Sequence, residues 1–182
     1  MSGRESYTPG PARGARVEKE GEKWTLVLER ELRHAPEKVW KALTETEHLK
    51  EWAPFEIEGS LGAPGTVKLT WTGTTYPIET KVMRVDAPRL LEYGDMKWVL
   101  EGTTGGTRLT LWHSIDRRYI SMGAAGWHIA LDVLDRQLAG DPISRIVGAE
   151  AMQVEGWQKL NEEYAEQFGV KAPKWPAGGG KS

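Results

Sequence analysis

The sequence contains no cysteine, which removes disulfides, thiolate metal sites and cysteine nucleophiles together and suits a reducing compartment. Long hydrophobic runs are missing too: nothing approaches the ~20 apolar residues of a membrane helix. Met1 to Arg16 carries Pro, Gly and Arg but no apolar core, so it does not read as a secretory signal. The cytoplasm is the expected address. Excess charge of one sign is also lacking. The formal net charge is -2, so neither nucleic acid nor an anionic membrane surface is an expected partner. No G-x-S-x-G, H-E-x-x-H or glycine-rich dinucleotide loop occurs, and no metal or cofactor is expected. Gly180-Lys181-Ser182 looks like the end of a phosphate-binding loop, but Trp175 stands where its first glycine is required. That motif is rejected.

What is present describes an ordinary single domain. The 182 residues are 39% hydrophobic and 27% charged, enough for a sizeable buried core. One feature is unusual: nine tryptophans accompany only two phenylalanines. Each indole buries a large apolar area yet keeps an N–H that needs a partner. Such a set suits either a packed core or a wall that is apolar with polar points.

Along the chain, residues 1–21 read as a flexible leader broken by Pro9, Gly10, Pro11 and Gly14, and residues 169–182 as a flexible tail. Between them lies one domain, 22–168. It opens with a strand, Trp24 to Arg33, in which apolar and polar residues alternate. Pro36 and Glu37 then start a helix carrying Val39, Trp40 and Leu43. A second short helix follows, Thr46 to Trp52. Six strands separated by turn residues come next: Phe55–Glu58, Thr66–Thr72, Tyr76–Val85, Arg89–Tyr93, Met96–Glu101 and Thr107–Ile115. Short strands joined by tight turns predict an antiparallel meander. Ala124 to Leu138 is apolar around much of its circumference, the pattern of a helix that is surrounded rather than laid on a surface. A last helix spans Ala149 to Phe168.

His113 is the first candidate for chemistry. If its strand turns Leu109 and Leu111 inward, His113 shares their face and can hydrogen-bond a ligand or move a proton. The simpler reading is a core histidine satisfied by its neighbours. A one-residue bulge would exchange it for Trp112. His128 and Asp132, with Asp135 a turn further, suggest either a metal pair or a solvated helix face, and the solvated face is preferred because three converging ligands are wanting. Trp71, Tyr76, Tyr93, Trp98 and Trp127, with Leu131, are candidates for the wall of a cavity between sheet and helix. A dry cavity of ~300 Å³ would cost about 7 kcal/mol at ~24 cal/mol per Å³, so any large space should be partly polar or filled. Arg117, Arg118 and Tyr119 read as a surface turn, with a ligand's anionic head as the alternative.

Strand, two short helices, antiparallel strands and a long helix is the order of an α+β helix-grip fold. The stretch Glu31-Leu32-Arg33-His34-Ala35-Pro36-Glu37-Lys38-Val39-Trp40-Lys41-Ala42-Leu43-Thr44 resembles the opening motif of the SRPBCC (START-like) superfamily. Within it, the branch related to activators of the heat-shock protein 90 ATPase is the nearest. Val85-Asp86-Ala87-Pro88-Arg89-Leu90-Leu91-Glu92-Tyr93, Thr107-Arg108-Leu109-Thr110-Leu111-Trp112-His113 and Gly126-Trp127 with its leucine-rich helix resemble later family signatures. The resemblance implies a curved sheet wrapped around a long C-terminal helix with a small apolar or aromatic ligand inside. It equally allows a chaperone partner, or a polyketide cyclase or aromatase in which His113 would be the acid or base.

Overall fold

The computed structural model describes residues 7–173. Its elements run β1 (Ala15–Glu20), β2 (Lys23–Leu32), α1 (Pro36–Thr44), α2 (Thr46–Trp52), β3 (Phe55–Glu58), β4 (Gly65–Trp71), β5 (Ile78–Asp86), β6 (Leu90–Tyr93), β7 (Met96–Thr103), β8 (Gly106–Ser114), α3 (Ile120–Leu138), α4 (Ala149–Met152) and α5 (Trp157–Phe168). The strands form one antiparallel sheet in the order β1-β2-β8-β7-β6-β5-β4-β3. The sheet curls around α3, as the helix-grip reading expects. Trp175 and the Gly180–Ser182 sequence lie outside the described residues.

Alternation decides which side chains enter the core. Leu26 and Leu28 on β2, Trp98 and Leu100 on β7, and Leu109 and Leu111 on β8 are all buried, as a period of two requires. Against them α3 sets Ala124, Trp127, Ile129, Leu131 and Leu134, also buried. Burial on several sides of α3 is the surrounded helix its sequence describes. Pro36 sits at the start of α1, where its missing N–H costs nothing, and Glu37 occupies the first turn.

Three details depart from the sequence reading. The supposed irregular leader contains a strand: Val17 lies opposite Leu26 and Ala15 opposite Leu28. Gly21 supplies the positive φ of 64° that the tight hairpin turn into β2 needs. The last helix is two helices, because Gly156 adopts a left-handed φ of 95° ahead of Trp157. In β5 the register slips between Val82 and Arg84, leaving Met83 as an extra, half-exposed residue; no sequence signal marked this bulge.

Candidate functional site

β8 keeps its register along both neighbours. His113 pairs with Leu26 of β2 and with Met96 of β7, and both are buried. No bulge intervenes, so His113 stays on the face of Leu109 and Leu111. Trp112 turns outward, where the Lys97 ammonium sits 4.4 Å from its ring centroid.

His113 stands at the end of the core, where the sheet and α3 leave a groove of about 680 Å³. One side of α3 supplies Met122, Gly123, Gly126 and Trp127, spaced at helical intervals, and Tyr119, just ahead of its first turn, joins them. Gly126 leaves room: a Cβ there would meet nothing within 4 Å, whereas one on Gly123 would lie 2.6 Å from Cδ1 of Ile115. Trp71 and Thr72 close the sheet side, Asp95 and Ser114 stand near His113, and Gly148, Met152 and Trp157 complete the wall.

The imidazole of His113 is held on two sides. Trp71 stacks on it with centroids 5.6 Å apart and planes 8° from parallel. The indole N–H of Trp127 donates to Nδ1 of His113 across 3.0 Å. A ring nitrogen that accepts cannot also carry hydrogen, so in the neutral ring the proton resides on Nε2. Burial holds the pKa of His113 down to about 4, against a smaller upward pull from Asp95. At neutral pH the group is an uncharged N–H donor.

The aromatic candidates divide between wall and core. Trp71, His113 and Trp127 line the groove. Trp98 and Tyr93 lie beneath it, fully buried, with the Trp98 indole N–H donating to the Tyr93 hydroxyl at 3.2 Å. Trp52, Trp98 and Trp127 meet with centroids 5.5–6.5 Å apart, so the space under the groove is packed. Leu131 is part of that packing, one turn beyond Trp127. Tyr76 is 78% exposed in the β4–β5 connection and reaches no wall; flanking threonines and Pro77 place it in a loop rather than in the expected strand.

Sequence reasoning missed Trp157, Gly123, Gly126 and Asp95 as lining residues. The Gly-Trp pairs at 126–127 and 156–157 carried a usable signal, since each sets a small residue beside a large aromatic. Asp95 had none.

The expectation of a solvated face at His128 and Asp132 is corrected by the structure. His128 is fully buried, and its Nδ1 lies 2.7 Å from the hydroxyl of Tyr164. That hydroxyl accepts from the Arg13 N–H and from the Arg30 guanidinium, both at 3.3 Å. It also donates to the Arg13 carbonyl at 3.2 Å. His128 Nε2 faces Asp132 at 3.6 Å, too far for a hydrogen bond. Asp132 instead accepts from the Tyr7 hydroxyl at 2.5 Å. The residues form a buried polar cluster that ties the N-terminal segment to α3 and α5. Among the described residues no cluster suited to a metal ion occurs. No helix there is long and apolar enough to cross a membrane. Arg118 is bound to Asp116 at 3.0 Å, fitting the surface-turn reading.

Among solved structures, the chain resembles a conserved protein of unknown function, EF2215, from Enterococcus faecalis: TM-score 0.65 and 21% identity over 84% of this chain and 89% of that one. The crystal structure of CalU16 from Micromonospora echinospora gives TM-score 0.59 and 21% identity over 88% and 98% of the two chains. An AHSA1-like protein from Aeromonas hydrophila gives TM-score 0.50 and 16% identity over 64% and 92%. At these identities the likeness establishes the fold alone. No curated protein matches the sequence. The model of the family described as activator of Hsp90 ATPase homolog 1-like protein matches residues 33–139, and the chain belongs to that family.

Proposed function

We propose that the domain binds a small, largely apolar, aromatic ligand in the groove between α3 and the end of the sheet. The observation that carries this reading is His113. One ring nitrogen is held by Trp127 and one face by Trp71, while Nε2 has no partner among the described residues. A polar group fixed this firmly and left unpaired in an apolar wall suits recognition of a ligand. The groove's volume of about 680 Å³ falls within the range of small-molecule sites.

The groove is read as binding rather than catalytic. A histidine with a pKa of about 4, whose Nδ1 already accepts a hydrogen bond, takes up a proton poorly near pH 7. The test is a thermal-shift screen against apolar aromatic compounds, with His113→Phe alongside. A ligand at 100 times its Kd should stabilise the fold by ~2.7 kcal/mol, and the shift should shrink in the variant. Absence of any shift across a broad aromatic library would refute the reading.

The packing beneath the groove favours a second reading, a protein partner such as the chaperone named by the family. An unchanged heat-shock protein 90 ATPase rate on addition of the domain would count against it.

A further inference from the structure

We infer that the groove selects uncharged planar ligands bearing a carbonyl or quinone oxygen and discriminates against carboxylates; this rests on the ligand-binding reading above. The polar group held most firmly in the wall is a donor. His113 is confined to the tautomer that presents Nε2–H, because Trp127 donates to Nδ1. Trp71 and Trp157 also line the groove, and neither indole N–H has a hydrogen-bond partner among the described residues. Indole and this imidazole tautomer can only donate, while the hydroxyls of Thr72, Ser114 and Tyr119 in the same lining can donate or accept. A hydrocarbon ligand would leave these donors unsatisfied as it excluded water from them. A ligand oxygen acceptor satisfies at least one of them while its ring lies against apolar and aromatic wall.

Charge completes the selection. Among the described residues Asp95 is the only charged one in the lining, and its field acts on His113. Among the described residues no lysine or arginine borders the groove, and His113 is neutral at pH 7. An anionic ligand would lose hydration, meet no cation and face the Asp95 carboxylate. A neutral ketone would pay none of these penalties.

The discriminating experiment uses one ring system with three substituents: 2-acetonaphthone, 2-ethylnaphthalene and 2-naphthoate. Binding is followed at pH 7 by calorimetry and by tryptophan fluorescence. The ketone should bind roughly fivefold more tightly than the hydrocarbon, the gain typical of one hydrogen bond, and about tenfold more tightly than the carboxylate. His113→Phe should erase most of the ketone's advantage. Asp95→Asn, a change at an exposed turn, should improve naphthoate several-fold relative to the ketone. Should His113→Phe fail to fold, the ring ¹⁵N shifts of His113 in the unaltered protein report its tautomer directly. A proton on Nδ1 overturns the inference. So does naphthoate binding as tightly as the ketone, or ethylnaphthalene doing so, although groove binding itself then stands. Binding of none of the three sinks the inference and the ligand-binding reading together.

Discussion

The hydroxyl of Tyr7 donates to Asp132 across 2.5 Å, joining residues 125 positions apart. This bond fastens the N-terminal segment to the buried face of α3. Two further contacts follow it: Ala12 N–H donates to Glu163 at 3.0 Å, and the Arg13 carbonyl accepts from Arg30 at 2.9 Å. β1 continues from that anchored segment into the sheet.

Tyr7→Phe should therefore destabilise the fold. Removing the donor leaves a part-buried carboxylate without its partner, and burial already pushes the Asp132 pKa up. A loss of about 1–3 kcal/mol is expected, the range for hydrogen bonds to charged groups. Urea denaturation measures it through the midpoint. A variant indistinguishable from the parent would show that the segment is held by its apolar contacts alone.

Acid should weaken the fold through His128. Burial, helped by the positive charges of Arg30 and Arg13, holds its folded pKa down to about 3. The unfolded chain, with an ordinary histidine pKa near 6.5, therefore binds the proton more readily. His128 contributes full stability above pH ~6.5, and this is lost as pH falls from there toward 3. Between pH 6.5 and 4.5 the loss from this one group is about 2–3 kcal/mol. His113, depressed to about 4, adds a smaller loss in the same direction. Asp132 works against both, because its raised pKa lets the folded state take up a proton sooner. Denaturant midpoints at pH 7 and 4.5 give the slope, and His128→Gln should flatten it. An equal slope in the variant would place the acid sensitivity elsewhere.

The contrast between His113 and His128 shows what a single sequence can convey. His113 belongs to a strand of strict alternation, and a period of two assigns its face without knowledge of its neighbours. His128 lies on a helix so apolar that its polar residues look like the exposed remainder. Its burial depends on Tyr164 and Arg30, 36 residues later and 98 residues earlier in the chain, and no local period encodes such contacts. β1 was obscured for a related reason. Only Ala15 and Val17 alternate with its charges, too short a pattern to stand out beside Pro11 and Gly14. The groove lay between these cases: its tryptophans were visible, but the open space beside Gly126 depends on how the sheet and α3 come together, which no local pattern encodes.

Gly106→Ala should be among the most damaging small substitutions outside the core. Its φ of 156° is disfavoured for other residues, and a Cβ there would lie 2.1 Å from the carbonyl oxygen of Leu32. The neighbouring backbone belongs to the end of β2, which cannot yield without disturbing the β2–β8 ladder. A cost of about 3 kcal/mol is expected. Gly105→Ala is the matched control, since its Cβ would meet nothing within 4 Å. Thermal denaturation should separate the pair clearly, and similar midpoints would refute the close approach.

Gly126 offers the cleanest test of the groove itself. It lies within α3, and an added Cβ would enter open space. Gly126→Ala should therefore stabilise the helix by roughly 0.5–1 kcal/mol, the usual helical advantage of alanine over glycine. Gly126→Phe directs a ring from that open position toward the space assigned to the ligand. That variant should fold, yet show no thermal shift with any ligand that stabilises the parent. The alanine variant separates helix propensity from occupancy, because it alters the first and barely touches the second. If Gly126→Phe folds and still binds with the parental affinity, the ligand sits elsewhere. His113, Trp71 and Trp127 would then be the aromatic end of a packed core.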